Sequence, residues 1–282
     1  MKKTIAVIDA VNYKEEQLIA ITNILNMVEN DLTILMIEDT ANINSLLTTG
    51  GIEAFAGKYY DVLYKSEKEK QQLIQDNTTK LKKTCEEKNI PCTIKNIMGI
   101  AADSVILESR FADLLIIGRE LSFPVIYDGN PTVFVKNILT QAQCPIIVLP
   151  DIPPSVIGVA CCYNGTYSSM YAIRAFAAIF PHLIEKNCEI VYEYEHNNQK
   201  IPYESQLQEY LKSYKAHSRQ IILSGAVGHT LQSYLHSRPE LISTFGAYGR
   251  NGISRFFNHS SAENIIRKLN GAIFITHPGE HI

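Results

Sequence analysis

The chain has 282 residues, 46% of them apolar, and a formal net charge of -3. That length exceeds one small domain and lets each of two halves bury its own core. The near-neutral charge, with no block of Lys and Arg apart from acidic neighbours, excludes a general pull toward nucleic acid or an acidic membrane surface.

No apolar run reaches the length of a membrane span, so no membrane partner is expected. The start, MKKTIAVIDA, places two lysines before apolar residues, but Asp9 interrupts the run and no small-residue cleavage site follows. It reads as a first strand. Six cysteines include no CxxC pair. They read as small buried residues in a reducing compartment, which makes a cytoplasmic location the expectation. No Cys or His pair has ligand spacing, so no metal site is expected.

Residues 4–8 predict a strand closed by Asp9, and Leu18, Ile21, Ile24 and Leu25 mark one face of the helix that follows. Residues 32–37 predict a second strand. The segment 39–89 contains Gly50-Gly51 and a mixed-charge stretch in which Leu73, Ile74, Leu81 and Cys85 recur at helical spacing, a solvated amphipathic helix. A third strand is predicted over 91–97. Asp103 is placed to cap the next helix, with Val105, Ile106 and Phe111 on its apolar side. LLIIG (114–118) and PIIVL (145–149) are short and wholly apolar, as suits strands buried on both faces of a parallel sheet. A helix over 133–141 separates them. DIPPS, 151–155, is an extended linker.

The pattern then restarts. Strands are predicted over 156–162, 189–194, 220–223, 241–245 and 272–276. Helices between them carry Met170, Ile173, Phe176 and Ala177, then Leu207 to Tyr214, then Leu231, Tyr234 and Leu235. A last helical run holds Ile265, Ile266 and Leu269. FADLLIIG matches PELISTFG, and KNILTQAQCPIIVLP matches ENIIRKLNGAIFITHP, at an offset of roughly one domain length. The expected fold class is therefore α/β, with two tandem five-stranded domains at 1–150 and 151–282.

The stretch Gly246 to Ile266, GAYGRNGISRFFNHSSAENII, follows an apolar strand and breaks into glycines before a helical run. A strand that opens into glycines and re-forms as a helix is a common phosphate cradle. With the repeat, this stretch resembles the universal stress protein family in its tandem form. Nucleotide-binding members carry G-x-x-G, nine residues, then G-[ST]. Gly246 and Gly249 match the first two positions, His259 stands at the third and Ser260 follows. The resemblance implies a Rossmann-like parallel sheet of order 3-2-1-4-5 in each half, with the two halves related by a pseudo-two-fold axis through paired fifth strands. A crevice would open where that order reverses. There Asn164 would meet adenine, while Gly246, Gly249, Arg250, Gly252, His259, Ser260 and Ser261 would meet ribose and phosphates.

Each of these residues also has a plain reading. The glycines serve a turn as well as a ligand. Arg250 can pair with phosphate or lie exposed. Ser260 and Glu263 form a capping box that satisfies the same donors a phosphate would use. His259 costs roughly 1–2 kcal/mol of strain if the position needs φ > 0. One lost charge-assisted hydrogen bond adds about 1.5–3 kcal/mol, so affinity falls by on the order of a hundredfold. Asn164, where binding members have Asp, can accept and donate to adenine's edge or simply make an Asn-Gly turn. In the first half Asp9 holds the family position, but after Gly118 the glycine loop is gone and Thr132-Val133 replaces Gly-Ser.

The first expectation is thus a stress-response regulatory protein that binds ATP or AMP in its second domain, with magnesium only alongside ATP. The alternative is an interaction module of the same fold without nucleotide. Association into a homo-oligomer stays open. HExxH, GxSxG and a full P-loop are absent, and Glu193, Glu195 and His196 read as a strand end and not as catalytic groups. The resemblance implies slow ATP hydrolysis for some relatives, for which this sequence offers no base or metal ligand.

Overall fold

The structure is a computed structural model that describes residues 2–28, 30–40, 56–123, 131–152, 154–194, 200–225, 229–246 and 269–276. The first half contains β1 (Lys2–Asp9), α1 (Glu15–Leu25), β2 (Asn30–Asp39), α2 (Ala56–Glu87), β3 (Cys92–Gly99), α3 (Ala101–Ser109), β4 (Leu114–Gly118), α4 (Val133–Gln141) and β5 (Ile146–Leu149). The second contains β6 (Gly158–Cys162), α5 (Tyr167–Ile179), α6 (Pro181–Lys186), β7 (Cys188–Tyr194), α7 (Glu204–Lys212), β8 (Ser218–Ser224), α8 (His229–His236), β9 (Leu241–Gly246) and β10 (Ile273–Thr276).

The strands form one ten-stranded sheet of order β3-β2-β1-β4-β5-β10-β9-β6-β7-β8. Each half is parallel within itself, in the order 3-2-1-4-5. The halves meet through one antiparallel pair, β5 with β10, in the register Val148–Ile273, Ile147–Phe274 and Ile146–Ile275. The sheet order therefore reads the same from either end. The expected pairing of fifth strands is present within the single chain.

Alternation along the strands sends successive side chains to opposite faces, and helices cover both. Ala6, Ile8, Ile34, Met36, Leu114, Ile116, Ile147 and Phe274 share one buried layer with α1, α2, α5, α6 and α7. Ile5, Val7, Leu35, Ile37, Leu115, Ile117, Val148 and Ile273 share the other with α3, α4 and α8. Each layer runs unbroken from one half to the other. At the seam Phe274 stands edge-on to Phe176 and Phe180, with ring centroids 5.2 and 6.5 Å away.

The amphipathic reading of the charged segment holds for α2, where Ile74, Thr78, Leu81 and Cys85 are buried at helical spacing and Leu73 is turned outward. Two details differ from expectation. Asp103 lies inside the first turn of α3 and does not cap it; the cap residue is Ile100, and Asp39 accepts a hydrogen bond from the Ala101 amide instead. Phe111 falls beyond the end of α3 and is exposed. The short helix α6, begun by Pro181 at its first turn, has too few residues to show a period.

One ionic group is buried beneath α8. Glu189 on β7 is 2% exposed. It accepts a hydrogen bond from the Tyr234 hydroxyl and pairs with Arg238 at 2.9 Å. Arg238 is itself held by Glu240 at 2.7 Å. Burial and the Glu189 carboxylate raise the Tyr234 phenol above its usual range.

Two outcomes follow for urea unfolding. Phe274→Ala costs about 3–5 kcal/mol, and Phe274→Asp or Ile147→Asp more, because the seam closes both cores. An unchanged unfolding midpoint in either Asp variant would refute this packing. Arg238→Ala costs about 3 kcal/mol by stranding the Glu189 charge, and the double change Arg238→Met with Glu189→Leu recovers much of that loss.

Candidate functional site

In a parallel sheet of this order the chain leaves strand 1 on one side and strand 4 on the other, so a crevice opens beyond their C-terminal ends. In the second half those ends belong to β6 and β9. β6 runs into the turn Tyr163-Asn164-Gly165, and Gly165 adopts φ +80°. A Cβ there would also lie 2.6 Å from Pro202, so only glycine fits. Thr166 caps α5 by accepting from the Ser169 amide. Asn164 organises the same turn: its Oδ1 accepts from the Thr166 amide at 3.1 Å and from the Thr166 hydroxyl at 2.7 Å. Its own amide lies 3.5 Å from Ser169 Oγ.

Gly246 ends β9 against the same helix turn. A Cβ at this position would stand 1.8 Å from the Ser168 carbonyl oxygen and 2.8 Å from the Ser169 nitrogen. These neighbours are backbone atoms and cannot give way. Gly246 is thus accounted for by close strand-to-helix packing, before any ligand is considered. That packing also brings Asn164 and Gly246 onto one turn of α5. Of the remaining expected contacts, Gly249, Arg250, Gly252, His259, Ser260 and Ser261 lie outside the described residues, as do Glu263, Ile265 and Ile266.

The first half differs at the same topological point. Asp9 is 7% exposed, and its carboxylate accepts from the amides of Val11 and Asn12 and from Asn12 Nδ2. This is the strand-end role, with both carboxylate oxygens engaged. A Cβ at Gly118, the counterpart of Gly246, would meet nothing within 4 Å. The space it leaves belongs to a cavity of about 370 Å³ lined by Asp9, Lys14, Gln17, Glu120, Ser122 and Asp151 among others. Burial, and then the neighbouring Asp151 carboxylate, raise the Glu120 carboxyl above its usual range. Among the described lining residues three carboxylates, Asp9, Glu120 and Asp151, stand against one lysine, Lys14, a balance unfavourable to a phosphate there.

The strand-end acids of the second half are structural where they are described. Glu193 accepts from the Leu231 amide at 2.9 Å at the start of α8, while Tyr192 and Tyr194 stack on the other face of β7. Glu195 and His196 lie outside the described residues. Among the described residues no group of three His, Cys, Asp or Glu side chains is arranged to hold a metal ion. No helix among them is long and apolar enough to cross a membrane. Neither the steric demand at Gly246 nor its absence at Gly118 can be read from the sequence, because each glycine simply ends a strand and the pattern does not show which helix backbone approaches it. The contrast is testable by thermal unfolding: Gly246→Ala destabilises by about 2 kcal/mol or more, whereas Gly118→Ala stays within about 0.5 kcal/mol.

Neither a family model nor a curated protein matches this sequence. Solved structures do match its fold. A universal stress protein from Archaeoglobus fulgidus superposes with a TM-score of 0.64 at 16% identity, covering 100% of this chain and 98% of that one. A putative universal stress protein from Pseudomonas aeruginosa gives 0.56 at 12% identity, covering 98% and 94%. A functionally unknown protein from the same species gives 0.57 at 13% identity, covering 98% and 93%. At these identities the likeness speaks for architecture along the whole chain: the protein has the universal stress protein fold, two such units in one polypeptide.

Proposed function

We propose that the second half, from residue 151 on, binds an adenine nucleotide, ATP or AMP, in the crevice beyond β6 and β9. The role is regulatory, in a stress response, and not turnover. One observation carries this reading: at the point where the strand order reverses, Asn164 and Gly246 converge on the Ser168-Ser169 turn of α5. From Gly246 the sequence continues through Gly249, Arg250 and Gly252 to Ser260 and Ser261, in the spacing of a phosphate loop. The Asn164 side chain is exposed, and with Oδ1 already engaged by Thr166 its amide nitrogen is the group left to donate to an adenine ring nitrogen. Magnesium enters with ATP only.

A second reading, an interaction module without nucleotide, is favoured by a specific observation. Asn164 and Gly246 each have a complete structural role, one in the turn and one in packing.

Isothermal titration with ATP and with AMP separates the two. The nucleotide reading expects saturable heat that Asn164→Ala weakens about five- to tenfold, the loss of one hydrogen bond worth about 1 kcal/mol. A folded sample that gives no heat at millimolar nucleotide would sink it and leave the interaction module.

A further inference from the structure

The C-terminal end of α2 and the start of β3 bring two thiols together. Cys85 Sγ and Cys92 Sγ are 3.2 Å apart. The backbone between them is fixed at both ends. The Ile90 amide donates back to the Cys85 carbonyl at 2.8 Å, Lys88 to Thr84 at 3.0 Å and Asn89 to Glu86 at 3.1 Å. Asn89 takes the left-handed conformation, φ 51°, that ends the helix. Pro91 follows, and Cys92 is already in register with Leu32 of β2. The side chain of Ile90 is buried and anchors the turn. A disulfide has a sulfur–sulfur distance of about 2.05 Å, so closure needs the two sulfurs to approach by roughly 1 Å.

The two sulfurs are not equivalent. Cys85 is 5% exposed, and Cys92 is half-buried. Both line a shallow surface depression of about 520 Å³, together with Lys82, Glu86, Asn89 and Ile90. A small molecule can therefore reach this pair. Cys161 and Cys188, 3.9 Å apart, are 0% and 1% exposed and lie beneath the helices. They serve as an internal control of the same chemistry without access.

We propose that Cys85 and Cys92 form a reversible intramolecular disulfide by exchange with a low-molecular-weight disulfide of the glutathione class. In the first step Cys92, the less buried of the two, attacks one sulfur of the small disulfide as its thiolate. A mixed disulfide forms on Cys92, the small disulfide's bond breaks and one small thiol leaves with the proton given up by Cys92. In the second step Cys85 attacks Cys92 Sγ, the protein disulfide forms, and the second small thiol leaves with the Cys85 proton. Two protein thiols are oxidised by two electrons, and one small disulfide is reduced to two thiols.

The environment of Cys85 favours this order. Burial first, then the hydrogen bond and negative charge of Cys92, push the Cys85 thiol up to about 12. Capping Cys92 in the mixed disulfide removes the second and third of these causes, so Cys85 becomes easier to ionise once its target is in place. Its position beside that target makes the displacement intramolecular. The closed disulfide would tie the end of α2 to β3, and reduction would release it.

The test uses the full chain, folded, in buffers of stepped ratio of oxidised to reduced glutathione, followed by alkylation and tryptic mapping. Cleavage after Lys83, Lys88 and Lys95 puts the two cysteines on separate peptides, residues 84–88 and 89–95. The expected result is that these peptides become linked as the oxidised fraction rises, separate again with dithiothreitol, and do so while Cys161 and Cys188 stay unmodified. Cys85→Ser then stops at a glutathione adduct on Cys92, and Cys92→Ser leaves Cys85 unreacted. The wild-type map decides the matter without the variants. Full alkylation of both cysteines in excess oxidised glutathione would overturn the proposal, as would a wild-type adduct that stays on Cys92 beside an alkylated Cys85.

Discussion

The pairing of β5 with β10 is the constraint on which the rest of the structure depends. A parallel five-stranded sheet of order 3-2-1-4-5 ends in an unpaired fifth strand whose amides and carbonyls need partners. Here each half supplies that partner to the other through Ile146 to Val148 and Ile273 to Ile275. The side chains of both strands are fully buried, so the joint is as apolar as the interior of either half. Phe274 completes it by standing between the halves against Phe176 and Phe180. The outer edges are left to β3 and β8, where Lys95, Arg219 and Gln220 interrupt the apolar pattern and discourage further pairing.

Because that joint is antiparallel, the C-terminal ends of the two sets of parallel strands point in opposite directions. The two crevices therefore open on opposite edges of the sheet and are free to diverge. They have done so in steric and in electrostatic terms. Around Gly246 the strand and α5 touch through backbone. Around Gly118 the same place is hollow and bordered by carboxylates. The long helix α2 contributes to this difference: Asn77 donates to the carbonyls of Ala10 and Val11 just after β1, and Lys70 and Gln71 hold Glu38 at the end of β2. The extra chain in the first half thus reinforces the loop that, in the second half, is shaped by Asn164, Gly165, Thr166 and Ser169.

The acids Glu189 and Glu193 of β7 are matched to partners, with consequences for where chemistry can occur. Glu189 is enclosed by Tyr234 and Arg238 and is an anchor for α8. Glu193 supports the start of the same helix. Of the acids at the β7 end, Glu193 is committed by the fold to the start of α8. The thiols divide differently: four of the six are buried, and the pair formed by Cys85 and Cys92 combines proximity with an open surface.

Much of the architecture was legible in the sequence, for a physical reason. Runs such as LLIIG and PIIVL are apolar at every position because both faces of the sheet are covered, and the α1, α4 and α5 periods repeat because one helix face must be buried. The anchors around these runs recur at a fixed offset in the same pattern of apolar run, glycine and helix, which points to two copies of one plan. Local pattern cannot report what a residue meets from elsewhere in the chain. Asp103 looked like a cap, but Asp39, from the neighbouring strand end, reaches the Ala101 amide first. Gly118 and Gly246 look alike, and only the approach of α5 makes one of them obligatory. Cys85 and Cys92 show no CxxC spacing, and a left-handed turn at Asn89 brings their sulfurs together. Periodicity, set by burial along each element, determined the fold; contacts between elements, set by tertiary packing, decided what each candidate residue is able to do.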